Sequence, residues 1–178
     1  MTSINFQYFP DLFSEIVTKA HTLIQADSSL SELPGIDLGY EFGTLHELQK
    51  RVLLKNSEMY PLVWLVWERP ENLKKFNGSF SNRTYNVSPL VFIIEKTDPN
   101  YTSSERYENI FKPFLIPIYD NILKAIGRHR NFNTLNTIDH EQYEHFFWGM
   151  DEDNNTVLSD YNDAIELKLI DLEILKKC

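Results

Sequence analysis

Four places in the chain hold residue types from which a reactive or ligand-binding site could be assembled. Asp151-Glu-Asp153-Asn-Asn155 imitates the opening of a calcium loop, whose first, third and fifth positions supply oxygens. Such a loop needs glycine at its sixth position and a bidentate glutamate at its twelfth; here these are Thr156 and Asn162. The stretch therefore reads as an acidic turn, and no metal is expected on it. His140 and His145, with Glu141 and Glu144 between them, are five residues apart. A strand needs an even separation to place both on one face, and a helix three or four. Arg128-His129-Arg130 is a compact cationic patch after a helical stretch, where it suits the negative end of the helix dipole. Capping and solvation are the favoured account of it, phosphate contact the alternative. The single cysteine, Cys178, has no base held beside it and excludes an intrachain disulfide or a zinc site of cysteines.

Other catalytic signatures fail on spacing. Gly35, Gly39 and Gly43 recur every four residues without the Gly-Lys-Ser/Thr that closes a phosphate loop. A Gly-x-Ser-x-Gly elbow and a His-Glu-x-x-His helix are both missing from the sequence. No catalytic residue and no cofactor is expected, and the chain is read as a non-enzyme.

The elements that would position any site follow from the apolar pattern. Leu12, Phe13, Ile16, Val17, Ala20, Leu23 and Ile24 predict an amphipathic helix from Phe9 to near Ala26, with Pro10 in its first turn. Thr44 and Glu47 form a capping-box pair at the head of a second helix reaching Leu54. Leu62–Trp67 is a continuous apolar run, expected as a strand covered on both faces, and Val87–Glu95 as its antiparallel neighbour. Residues 72–86 between them are expected as an exposed loop or hairpin excursion. Ser103 or Ser104 opens the longest amphipathic stretch, ending at Gly127. Pro113 and Pro117 inside it predict a bent helix, or two helices meeting near Lys112. His145–Met150 reads as a strand with one aromatic side. Asp163–Ile174 alternates, then slips phase after Leu169, which predicts a β-bulge or bend in one strand.

The expected fold is α+β: one domain over 1–178, a single antiparallel or mixed sheet of about four strands, helices on one face, and element order α-α-β-β-α-β-β. Residues 175–178 are expected as a frayed tail. The 178 residues are 42% hydrophobic and 24% charged, ordinary for a globular domain and against global disorder. No apolar run approaches a membrane span, and no basic patch followed by an apolar stretch marks a signal peptide. An intracellular setting without membrane contact is the expectation.

Charge is distributed unevenly. The net charge is −9, and residues 139–178, with 11 acidic against 3 basic groups, hold −8 of it. That disfavours general attachment to nucleic acid and suggests a surface that meets a complementary protein. Three Trp, 12 Phe and 9 Tyr exceed what one small core comfortably hides, and such side chains are enriched at interfaces. The candidate interface residues are Trp64, Trp67, Phe76, Phe80, Arg83, Tyr85, Trp148, Asp151 and Asp153. Trp64 and Trp67, three apart, fall on opposite faces of a strand, one toward the helices and the other toward a neighbouring subunit.

Several stretches, taken in order, carry a resemblance. They are Tyr40-Glu-Phe-Gly, Tyr60-Pro-Leu-Val-Trp-Leu, Ser104-Glu-Arg-Tyr ahead of the Pro113/Pro117 helix, and Asp163-Ala-Ile-Glu-Leu. Over most of residues 4–174 the chain resembles small structural proteins of tailed bacteriophages of Bacteroidetes-type hosts, and is similar to the tail-completion, or tail-terminator, proteins of the tail–neck junction. The resemblance implies a small α+β fold and an oligomeric, typically hexameric ring that caps the tail tube and joins it to the neck. It implies tail-tube and neck proteins as partners, and a place in the virion after synthesis in the bacterial host cytoplasm. DNA would pass an acidic lumen without specific binding, and the 72–86 excursion would contact a subunit or the tube. A neck or head-completion adaptor is the nearest alternative; a host-protein-binding module or inhibitor is the alternative of another class.

Overall fold

Apolar side chains at three- and four-residue spacing wind Phe9–Gln25 into helix α1, which buries Phe9, Leu12, Phe13, Ile16, Val17, Ala20 and Ile24 along one stripe. The structure, a computed structural model, describes residues 9–30, 33, 35–53, 59–67, 83–134, 137–150, 155–158 and 161–176. A short strand β1 (Gly39–Gly43) leads into helix α2 (Leu45–Leu53). Thr44 caps α2 as its sequence requires: the Glu47 N–H donates to Thr44 Oγ1 at 3.2 Å, and the Glu47 carboxylate accepts from the Thr44 N–H at 2.7 Å. Strands β2 (Leu62–Val66), β3 (Arg83–Val87) and β4 (Leu90–Lys96) follow.

Helix α3 (Ser103–Arg106) starts from a capping box made by Thr102 and Glu105, one residue ahead of the expected serines. The chain then stays helical to Gly127, through a π-helical segment (Tyr107–Leu115) and helix α4 (Ile116–Gly127). Pro113 lies inside the π segment and Pro117 in the first turn of α4. Of the two expectations, a bent helix or two helices meeting near Lys112, the second is not found: the chain stays helical through a wider turn. A π register relocates the hydrogen bonds that a proline ring would obstruct, and Pro117 falls where the loss of an N–H costs least. Strands β5 (His140–His145), β6 (Trp148–Met150), β7 (Thr156–Leu158), β8 (Asn162–Leu169) and β9 (Leu172–Lys176) complete the described chain.

The expected single sheet of four strands, with order α-α-β-β-α-β-β and helices on one face, is overturned. A five-stranded sheet runs β1-β2-β4-β8-β5, with β1 parallel to β2 and every other pair antiparallel; β3–β9 and β6–β7 form two further two-stranded sheets. The phase slip after Leu169 is a corner, not a bulge. Asp171 adopts φ 47°, and the chain leaves the central sheet to pair β9 with β3. Phe147, at φ 56°, likewise turns between β5 and β6, so His145–Met150 holds the end of β5, a turn and β6 instead of one strand.

Both faces of the central sheet are covered. Val63, Leu65, Val91, Ile93, Ile165, Leu167 and Leu169 meet α1, the π segment and α4 in the larger core. Leu62, Trp64, Phe92, Ile94 and Ala164 point the other way and are covered by Leu48 of α2 and Trp148 of β6. Helices therefore lie on both sides, because β2 and β4 are apolar at successive positions and each face needs its own cover.

One ion pair ties the layers together. Arg106 and Asp163 are both fully buried, and Arg106 Nη1 donates to Asp163 Oδ1 at 3.0 Å. Arg106 Nε also donates to the Tyr101 carbonyl at 3.2 Å, and the guanidinium lies 3.7 Å from the centre of the Phe147 ring. Asp163 Oδ1 accepts a second bond, from the Phe147 N–H at 2.9 Å, which holds that bulky residue at its positive φ. Asp163 Oδ2 is buried without a hydrogen-bond partner. Removing one partner strands a buried charge, whereas removing both does not. We expect Asp163→Ala to lower unfolding stability by about 3–5 kcal/mol. The double variant Arg106→Met/Asp163→Leu should recover most of the loss, as read by urea unfolding.

Candidate interaction surface

The groups that could carry chemistry are placed apart by the fold. His140 stands opposite Leu169 on the helix-covered face of β5, and His145 opposite Ala164 on the other. His140 Nδ1 is 2.7 Å from the Ile138 carbonyl and Nε2 is 2.5 Å from the Tyr119 hydroxyl. A proton on Nδ1 bonds the carbonyl and leaves Nε2 to accept from Tyr119, so the pair fastens β5 to α4. His145 Nε2 pairs with Glu166 Oε2 at 2.9 Å. His129 sits 3.2 Å from Glu15 of α1, while Arg128 and Arg130 are exposed. Lys19 Nζ donates to the Arg128 carbonyl at 2.8 Å and Thr134 Oγ1 to that of Gly127 at 3.2 Å, so other residues serve the end of α4. Among the described residues, no group of three His, Cys, Asp or Glu side chains could hold a metal ion, and no helix is long and apolar enough to cross a membrane.

Of the residues expected at an interface, Trp64 and Trp148 are buried in the smaller core, where the Phe92 and Trp148 ring centres are 5.2 Å apart. Trp67 is on the opposite side of the sheet, as its spacing from Trp64 requires, but it stacks on Phe9 at 5.5 Å instead of reaching outward. Both pack within the chain, since each face of β2 has its own cover, Trp64 buried and Trp67 partly buried. Arg83 and Tyr85 lie in β3, opposite Lys176 and Ile174 of β9. Phe76, Phe80, Asp151 and Asp153 are outside the described residues, as is most of the 72–86 excursion.

The aromatic surface is elsewhere. Phe42 on β1 is 51% exposed and Tyr143 on β5 is 50% exposed, and these strands are the two edges of the central sheet. Neither residue is among the interface candidates that the sequence offers, although Phe42 lies in the Tyr40-Glu-Phe-Gly stretch. Each belongs to a short strand with no apolar run, and only the position at a sheet edge makes it conspicuous. From Phe42 a ladder of rings leads inward through Tyr40, Phe13 and Phe9 to Trp67, with successive centres 5.5–6.5 Å apart. The Tyr40 hydroxyl donates to the Pro10 carbonyl at 2.8 Å. Burial, with the Asp11 charge nearby, pushes its pKa well above the usual phenol value. An open groove of about 410 Å³ runs beside this edge, lined by Pro10, Asp11, Ser14, Tyr40, Glu41 and Phe42. Glu41 is held by a two-pronged ion pair, Arg51 Nε donating to Oε2 at 2.8 Å and Nη2 to Oε1. The arrangement offers an aromatic, backbone-bearing edge and no convergent acid–base pair.

No protein-family model and no curated protein matches this chain.

Glu95, near the end of β4, is the one carboxyl whose acidity is strongly displaced among the described residues. Burial raises its pKa to about 7, against a partial offset from the Lys96 N–H, which donates to Oε1 at 2.8 Å. Burial, with the Glu95 charge as the second cause, pushes the Tyr60 hydroxyl up to about 12. The folded chain therefore holds the Glu95 proton more tightly than the unfolded one, whose value is near 4.5. The resulting penalty is absent below about pH 4.5 and complete above about pH 7. Glu95→Gln should raise unfolding stability at pH 8 by on the order of 2 kcal/mol and change it little at pH 4.5. Urea titrations of both proteins at the two pH values check the sign.

Proposed function

We propose that this chain is a non-enzymatic assembly protein of a phage virion, a tail terminator that caps the tail tube and joins it to the neck as an oligomeric ring of about six copies. The resemblance of its sequence stretches to that family supports the reading. Two of those stretches, Ser104-Glu-Arg-Tyr and Asp163-Ala-Ile-Glu-Leu, supply the two halves of the Arg106–Asp163 pair. The observation that carries the proposal furthest is the placement of half-exposed aromatic residues on both edges of the central sheet, with which no further strand pairs among the described residues. Edges with unpaired backbone groups and a protruding ring are where one protein adds to another. Tail-tube and neck proteins are the partners in this reading. DNA passes the acidic ring lumen without specific binding, and the site of action is the tail–neck junction.

Negative-stain images of the purified chain, alone and mixed with tail-tube protein, test this. Rings, or tubes of fixed length with one closed end, are the expected result. Tyr143→Ala should raise the protein concentration needed to cap half the tubes by about tenfold, the loss typical of an exposed aromatic contact. Absence of rings and caps, together with a tight one-to-one complex with a host protein, would replace the proposal with a binding module.

A further inference from the structure

The outer edge of β1 is complementary to itself. In the parallel ladder with β2, the Gly39 N–H donates to the Pro61 carbonyl at 2.9 Å, and the Gly43 carbonyl accepts from the Trp67 N–H at 2.8 Å. Backbone groups of residues 39, 41 and 43 thus turn toward β2, and by the alternation of a strand those of Tyr40 and Phe42 turn outward. Among the described residues no strand pairs with that edge. The strand reads Gly-Tyr-Glu-Phe-Gly, nearly the same from either end about Glu41.

We propose that β1 pairs antiparallel with β1 of a second copy of this chain, across a two-fold axis at Glu41, so that two five-stranded sheets become one. In this register Tyr40 stands opposite the partner's Phe42 and Phe42 opposite the partner's Tyr40. These are the two residues whose N–H and C=O face outward, so both pairs exchange hydrogen bonds in each direction. The 51% exposed Phe42 ring then has a destination, the groove along the partner's Pro10, Asp11 and Ser14. Like charges directly opposite each other normally forbid such a pairing. Here each Glu41 arrives already bound to Arg51, and alternating Arg51 and Glu41 from the two copies place every carboxylate beside a guanidinium. The opposite edge, β5, is also nearly the same from either end, His-Glu-Gln-Tyr-Glu-His, but pairing it with itself in that register would set Glu141 against the partner's Glu144. The contact does not rest on the tail reading, since a two-fold contact closes at two copies whereas a ring grows head to tail.

Residues 41 of the two copies form the non-hydrogen-bonded pair, with Cα atoms about 4.5 Å apart, inside the range a disulfide spans. The test uses the full chain with Cys178→Ser. Glu41→Cys should become a disulfide-linked dimer on mild oxidation, and Tyr143→Cys on the other edge should remain largely uncrosslinked. In sedimentation the unmodified chain should show a monomer–dimer equilibrium. Phe42→Pro, which removes an outward N–H and leaves the β2 ladder in place, should raise the dissociation constant at least tenfold with an unchanged circular dichroism spectrum. A chain that stays monomeric at its highest soluble concentration would overturn the proposal, as would a dimer in which position 41 fails to cross-link. A monomer that still caps tubes would sink this inference alone, and a cross-linked dimer that never caps them would sink the ring alone.

Discussion

Much of this architecture depends on the Arg106–Asp163 pair, sealed between the start of the long helical stretch and the start of β8. Two charges out of water are a poor source of net stability, and the unpartnered Asp163 Oδ2 makes this pair poorer still. Its effect is on geometry. One carboxylate oxygen receives both the guanidinium and the Phe147 N–H, and the guanidinium covers the Phe147 ring. That fixes where β5 ends and where β6 crosses to the other face, delivering Trp148 onto Phe92. The smaller core is closed by a residue whose position is set by the pair and by the positive φ beside it.

With both faces of the central sheet occupied, the edges carry what backbone remains free. A sheet that exposed one face would present a broad apolar surface; this one presents two narrow strips, β1 and β5. The layered cover thus turns the aromatic surplus of the sequence inward. Trp64, Trp67 and Trp148 are all engaged within the chain; among the described residues the exposed rings are Phe42 and Tyr143 on the two edges, Tyr107 at the start of the π segment and Tyr161 just before β8.

The sequence disclosed the elements whose signal is local. The stripe of α1, the Thr44–Glu47 cap and the apolar runs of β2 and β4 each follow from residues within one or two turns or one strand. It did not disclose β5, because His140-Glu-Gln-Tyr-Glu-His carries no apolar alternation; an edge strand pairs by backbone and needs little burial. Nor did it separate a bulge from a corner after Leu169, since both shift the phase of alternation and only the positive φ of Asp171 decides between them. The prolines of the long helix predict a bend or a junction of two helices, because an α-helix has no place for Pro113; the π register that holds it leaves no mark in the apolar spacing. At the candidate surface the same limit applies: Trp64 and Phe42 are both aromatic residues in strands, and their exposure is decided by neighbours distant in sequence.

The concentration of negative charge in residues 139–178 takes on a sharper meaning once its members are placed. Asp163 is neutralised by Arg106, Glu166 by His145 when that ring is protonated, and Glu141 by Lys168 at 2.9 Å. Asp139, Glu144 and Asp171 are exposed and have no ion pair among the described residues; Asp139 and Glu144 mark the β5 border, and Asp171 the corner beyond β8. An edge carrying such charge repels its own copies, which is how natural sheets keep an edge from pairing with itself. On β1 the corresponding charge, Glu41, is cancelled by Arg51. The two edges of one sheet are therefore electrostatically unequal. Among the described residues, the β5 border carries acidic groups without an ion pair, whereas the acid of β1 is paired and its neighbours are aromatic.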